Sequence, residues 1–126
     1  MATVGPDGWP AAALVGFSAN PALEIMFGTD EISRKAENIA ADDRVCFEVT
    51  DIVRRYQVQA FGRARLLPAG EYLKRRDAHY AKLPGSLRFE GEPGQEFFVI
   101  EPRYVVFRDC NPEHSRDWVV SRFTWK

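Results

Sequence analysis

The residues from Tyr56 to Leu67 alternate without interruption, and this alternation constrains the fold more than any other feature of the chain. Tyr56, Val58, Ala60, Gly62, Ala64 and Leu66 fall on one face of an extended strand. Gln57, Gln59, Phe61, Arg63, Arg65 and Leu67 fall on the other. A period of two places one face on a core and leaves the other for solvent, a ligand or a partner. Any fold for this chain is therefore built around a sheet with this strand near its centre.

The neighbouring segments extend the same pattern. Residues 1–4 are a short apolar piece ending in Gly5-Pro6-Asp7-Gly8, a strong turn signal. Residues 9–18 (WPAAALVGFS) read as a strand with Pro10 near its start, and Ala19-Asn20-Pro21 as the next turn. Residues 23–27 (LEIMF) read as a further strand, which makes a meander of antiparallel strands joined by tight turns. Residues 33–42 (SRKAENIAAD) change to helical period, with Ile32, Ala36, Ile39 and Ala40 on one side and Thr29, Asp30 and Ser33 as available N-caps. Residues 44–49 return to strand character. Pro68 and Pro84 bracket a second helix over 69–83, with Ala69, Tyr72, Leu73, Tyr80 and Leu83 on its apolar side. Strands follow at 97–100 and 104–107, interrupted at Pro102, and residues 118–125 form an aromatic-rich tail. The expected order is β-β-β-α-β-β-α-β-β. Hairpin-linked strands with only two helices favour a small β-barrel or α+β fold over a parallel α/β sheet.

Composition excludes several functions. The 126 residues are 45% apolar, enough for a core, and suggest a single domain over 1–126. A net charge of −1 argues against nucleic-acid binding driven by bulk charge. No apolar run approaches the roughly 18–20 residues of a membrane span. Residues 1–8 are turn-rich rather than basic and then apolar, which argues against a secretory signal. Cys46 and Cys110 are far apart and outside any C-x-x-C, so neither a disulfide framework nor a zinc ribbon is expected. A cytoplasmic protein with free thiols is the expectation.

The segment with the most chemistry is Phe27 to Asn38 (FGTDEISRKAEN). A strand ends, a polar loop follows, and Ser33-Arg34-Lys35 opens a helix. The free N–H groups of a helix start attract anions. A hydroxyl, a guanidinium and an ammonium at that end make a phosphate clamp. Two cations there oppose the helix dipole, at a few tenths of a kcal/mol each. Charge-assisted hydrogen bonds to a bound phosphate return roughly 1.5–3 kcal/mol each, so the balance favours a bound anion. The plain alternative is two solvated basic residues on a surface helix.

The pattern Thr29-x-x-x-Ser33-Arg34-Lys35-Ala36 followed by Arg44-Val45 resembles the pyridoxamine 5′-phosphate oxidase-like, flavin-binding split β-barrel proteins. Ala2-Thr3-Val4-Gly5-x-Asp7-Gly8-x-Pro10 is similar to the family's first hairpin, and Gln57-Val58-x-x-x-Gly62-x-Ala64 to its central strand. The resemblance covers residues 2–67 well and the remainder loosely. It implies a six-stranded antiparallel split β-barrel with two flanking helices. It also implies a homodimer with FMN in clefts at the dimer interface. By resemblance, Arg34 and Lys35 would hold the FMN phosphate, with hydroxyls from Ser33 and Thr29. Ala13, Leu14 and Val15 would lie along the isoalloxazine ring through backbone contacts, and Gln57 would approach the ring or ribityl chain. Gln57 is on the off-core face of its strand by alternation alone, where an ordinary exposed glutamine is the plain alternative.

The departures are informative. True pyridoxamine-phosphate oxidases carry an Arg and a Lys on the second strand, where an ungapped match puts Ala13 and Ser18. They also carry an Arg-x-His near the C-terminus, where aligning Arg122-Phe123 puts Trp118 and Val120. The chain begins at the first strand, where the family usually has a helix. The expectation is an FMN-binding oxidoreductase acting on a small molecule but not a true pyridoxamine-phosphate oxidase. Alternatives are a non-catalytic flavin, haem or tetrapyrrole binder, or a deazaflavin-dependent relative. No residue is singled out as a proton donor.

Other candidates are weaker. Cys110-x-x-x-His114 beside Asp109 and Glu113 has metal-like residue types but no second pair, so a surface loop is expected. His79 reads as a solvated or packing histidine rather than a catalytic base. Cys46 reads as a buried thiol. Ser18, Ser33, Ser86 and Ser115 have no G-x-S-x-G setting. Lys74-Arg75-Arg76 reads as a solvated face, and Trp118, Phe123 and Trp125 as core or interface anchors.

Overall fold

The computed structural model describes residues 1–113 and the backbone of 119–124. Its strands are β1 (Ala2–Val4), β2 (Pro10–Ala12), β3 (Ser18–Ala19), β4 (Ile25–Asp30), β5 (Arg44–Asp51), β6 (Tyr56–Leu66), β7 (Gln95–Asp109) and β8 (Val119–Thr124). Helix α1 (Arg34–Ala41) joins β4 to β5. Helix α2 (Ala69–Lys82) and a short 3-10 helix (Pro84–Phe89) join β6 to β7. His114, Ser115, Trp118 and Trp125, considered above, lie outside the described residues, and of Val120, Arg122 and Phe123 only the backbone is described. Among the described residues no helix is long and apolar enough to cross a membrane.

Every pairing is antiparallel, and the hydrogen-bonded order is β2-β1-β5-β6-β7-β4-β3, with β8 attached to β7. The mainly β, α+β expectation is met. The expected strand count is corrected: seven strands form an open path and β8 joins it, rather than six. The flanking helices number three with the 3-10 turn, rather than two.

Residues 9–18 are not one strand. β2 and β3 occupy opposite ends of the path; Ala13 still exchanges backbone hydrogen bonds with Met1, and residues 14–17 pair with neither end. Six Cα steps separate Ala12 from Ser18, so the two sheet edges lie within roughly 20 Å of each other. The sheet must curl to allow this, and residues 13–17 cross the gap that the curl leaves.

Pro102 does not interrupt β7. It sits at a register shift, where Gly62 opposes Pro102 and Phe61 opposes Tyr104, leaving Arg103 as the extra residue of a bulge. On its other edge β7 pairs with β4 up to Ile100 and with β8 from Tyr104 onward. The proline, which has no N–H to donate, therefore stands where β7 changes partners. Gly62 is required here, because a Cβ would lie 2.2 Å from the Glu101 carbonyl oxygen.

The core lies inside the curl, built from Ile25, Phe27, Ile39, Val45, Phe47, Ala60, Phe98, Ile100 and Val105. The expected inward face of β6 holds at Ala60, Gly62 and Ala64, whereas Leu66 is half exposed at the strand's end. Leu67 points the other way and joins Met26, Val99, Tyr72 and Phe97 in a smaller cluster under α2. The helix rotation differs from expectation: Leu73 is 66% exposed and His79 is 2% exposed. Tyr72, His79 and Tyr80 thus define the buried side of α2, because spacings of seven and eight return to one face. Cys46 is half-buried rather than fully buried, and burial pushes its thiol pKa up.

Candidate functional site

α1 starts where it does because Ser33 caps it. Its Oγ accepts from the Ala36 N–H at 3.3 Å, and Asp30 supports the preceding turn by accepting from the Ile32 N–H at 3.0 Å. The Thr29 hydroxyl donates to Ser33 Oγ at 3.0 Å. Thr29 is buried, so its effect on a ligand would pass through Ser33. With two bonds accepted, Ser33 retains its own proton for donation.

Arg34 and Lys35 occupy the first turn of α1, one exposed and one half-buried. Neither makes a side-chain hydrogen bond or an ion pair among the described residues. The arginines elsewhere on the sheet and α2 are mostly held. Arg65 bonds Glu71 and Glu101, Arg75 bonds Glu24 at 2.8 Å, and Arg76 bonds Glu90. The Arg76 guanidinium holds the Glu90 carboxyl below the usual carboxylate range, and Arg65 does the same for Glu71.

A cleft of about 380 Å³ opens beside this turn, on the α2 side of the sheet. Leu14, Val15 and Gly16 form one wall, Gly28, Thr29, Asp30 and Lys35 a second, and His79, Ser86, Phe89, Gln95 and Phe97 the rest. Gly28 keeps this space open. A Cβ there would approach Gln95 Nε2 to 2.7 Å and the Phe97 ring to 2.9 Å. The backbone N–H and C=O groups of residues 14–16 make no hydrogen bond among the described residues. Leu14 is fully exposed. Unpaired backbone groups in a crevice are docking points, since each gains a partner when a ligand arrives.

The structure thus brings Leu14, Val15, Thr29 and Lys35 to one cleft, with Ser33 and Arg34 on the adjoining turn. Ala13 stands just outside, exchanging hydrogen bonds of 2.9 and 2.8 Å with Met1. Gln57 is elsewhere, at the far end of β7 from Phe97, where it donates to Glu48 at 2.9 Å and accepts from Arg108 at 3.1 Å.

Sequence reasoning missed His79, Gln95, Phe97 and Gly28 as parts of this cleft. His79 was legible in principle, since it lies seven residues from Tyr72 on the same helical face. Burial pushes the His79 imidazole below its ordinary value, so it is neutral at pH 7. Gln95 and Gly28 had no local signal, because they are brought in by the β4–β7 pairing.

The family and the fold have counterparts among known proteins. A family model described as pyridoxamine 5′-phosphate oxidase matches residues 1–109. Among solved structures, the chain is similar to a heme binding protein from Mycobacterium smegmatis, at 17% identity and TM-score 0.77, covering 98% of this chain and 50% of that one. It is similar to a pyridoxamine 5′-phosphate oxidase-related, FMN binding protein from Nostoc punctiforme, at 17% identity and TM-score 0.69, covering 99% and 85%. It is also similar to an F420 reductase, at 23% identity and TM-score 0.62, covering 82% and 84%. This chain spans half the length of the Mycobacterium smegmatis protein. At these identities the likeness shows the fold alone. No curated protein matches the chain.

Proposed function

For a chain that belongs to the pyridoxamine 5′-phosphate oxidase-like family without being a true pyridoxamine-phosphate oxidase, we propose an FMN-dependent oxidoreductase acting on a small molecule. The observation that carries this reading is the pairing of two unsatisfied surfaces across one cleft. The unbonded backbone of residues 14–16 lines the same cleft as the unpaired Lys35, with the unpaired Arg34 next to it on the α1 first turn. One surface suits the edge of a planar ring, and the other suits a phosphate.

Arg34 and Lys35 hold the phosphate, with the Arg34 and Lys35 N–H groups and the Ser33 hydroxyl as further donors. Thr29 fixes the Ser33 rotamer. Leu14 and Val15, with Gly16, lie along the ring, whereas the backbone of Ala13 is taken up by Met1; Phe97, in the floor beside Gly28, excludes water from the ring. Bound FMN would supply hydride transfer, which no side chain of the cleft can perform. The curl bridged by residues 13–17 suits a split barrel. Gln57 cannot serve the cleft of its own subunit from the far end of β7, so we assign it to the cleft of a second copy in a homodimer.

The test is the visible spectrum of the purified protein titrated with FMN. The expected result is saturable binding at micromolar concentration, and an unchanged spectrum rejects the reading. A parallel titration with a deazaflavin, the cofactor type implied by the alternative, ranks the two. A second reading is binding without turnover, of a flavin or a tetrapyrrole. Trp118 and Val120, which by alignment take the place of the Arg-x-His that holds the substrate in the family's oxidases, favour it. Sustained NAD(P)H oxidation by the flavin-loaded protein decides against it.

A further inference from the structure

The two ring nitrogens of His79 have different surroundings. The imidazole is 2% exposed, with ring centroids 5.8 Å from Phe97 and 5.5 Å from Tyr80 in edge-on contacts. Nδ1 lies 2.8 Å from Ser18 Oγ. Nε2 has no hydrogen-bond partner among the described residues, yet no fully enclosed side-chain nitrogen or oxygen there lacks a partner. Nε2 therefore keeps access to open space, and the space that His79 lines is the cleft shared with Lys35 and residues 14–16. A buried ring whose one open polar atom reaches a ligand-sized cavity is an incomplete hydrogen-bond site.

Proton placement rests on the ring and on Ser18. Its hydroxyl makes no other hydrogen bond among the described residues. If the hydroxyl donates to Nδ1, its proton is used and Nε2 carries the ring proton. If Nδ1–H donates instead, the hydroxyl proton is left without an acceptor. Each arrangement makes one hydrogen bond and leaves one donor over, so the intrinsic preference of a neutral histidine for the Nε2–H form decides, and the Ser18 hydroxyl donating to Nδ1 holds it. That form leaves a neutral N–H donor facing the cleft.

We propose that His79, its tautomer held by Ser18, donates a hydrogen bond from Nε2–H to an acceptor atom on the ring of the ligand bound in this cleft. The inference rests on the flavin reading and adds a binding residue that recognises the ring rather than the phosphate. It also links α2 to ligand binding, since ring contact at His79 would order the helix against the Phe97 floor.

The test uses the full chain, ¹⁵N-labelled at histidine, with FMN as the probe. The chain has two histidines, so a H114N variant identifies the His79 signals. FMN should move the His79 Nε2 resonance, and the ring should be the Nε2–H tautomer before and after. The His79→Phe variant keeps the ring and its edge contacts but removes both nitrogens. Its FMN dissociation constant should rise about 3–10-fold, the strength of one neutral hydrogen bond, with a shift in the flavin absorption bands. Ser18→Ala should give a smaller rise and a mixture of tautomers. If His79→Phe does not fold, the wild-type resonances and Ser18→Ala decide. A wild-type protein that binds FMN with His79 signals unmoved overturns this inference alone. A wild-type protein that does not bind FMN overturns the flavin reading and this inference with it.

Discussion

The β5–β6–β7 part of the sheet and the cleft side of the molecule follow opposite rules. In the former, strands pair along their length, the core faces interlock, and Arg63 and Arg65 are held by carboxylates. On the cleft side, residues 14–16 have unpaired backbone, Arg34 and Lys35 have no counter-charge, and His79 has one nitrogen to spare. A folded chain satisfies its polar groups wherever function leaves it free to do so. The contrast teaches that unsatisfied groups gathered around one space mark a site even where each residue taken singly looks ordinary.

The largest expected effect tests the satisfied half. Gly62→Ala puts a Cβ against backbone rather than a flexible side chain, so one strand must move. Stability should fall by about 1–3 kcal/mol in urea unfolding, in the range of overpacked cores. A loss below 0.5 kcal/mol would show that the bulge can relax. Next, Arg34→Ala or Lys35→Ala should weaken FMN binding about 10–100-fold while leaving the unfolding midpoint unchanged, because neither side chain has a protein partner to lose. Equal affinity would place the phosphate elsewhere.

A smaller effect is expected from pH. Burial holds the folded-state pKa of His79 below the unfolded value of about 6.5, so the unfolded chain takes up its proton first as pH falls. Stability should be fully present above about pH 6.5 and decline below it, by at most about 1.4 kcal/mol per pH unit. The shifted carboxylates titrate lower; Asp42, bonded by Arg44, has its pKa held at about 2. Comparing unfolding of wild type and His79→Phe at pH 7 and 5 isolates the histidine, and parallel pH profiles would contradict its burial in the neutral form. The smallest effect is at Leu73, which is exposed despite its apolar type. Leu73→Glu should change stability by less than about 0.5 kcal/mol in thermal unfolding, whereas a larger loss would mean that another surface covers it.

What could be read from the sequence tracks how local each signal is. The α1 start was legible because Ser33 caps a helix whose period is visible within ten residues. The β6 alternation was legible because side chains on a strand sort by parity alone. Pro102 misled, because a proline inside a strand is acceptable only at a bulge or a change of partner, and neither is written near residue 102. Residues 9–18 misled, because apolar composition does not say whether a segment pairs along its length or crosses a gap between two sheet edges.

By itself the sequence determined the antiparallel, mainly β character of the chain and the cationic opening of α1, since both depend on neighbours a few residues apart. Only the tertiary structure decided that the sheet curls enough for residues 13–17 to span from β2 to β3, that residues 14–16 are left unpaired there, and that His79 reaches the same cleft from α2. Those facts depend on which strands pair at long range and how a helix is rotated against them, and the free energy of such choices comes from whole surfaces packing together rather than from any local run of residues.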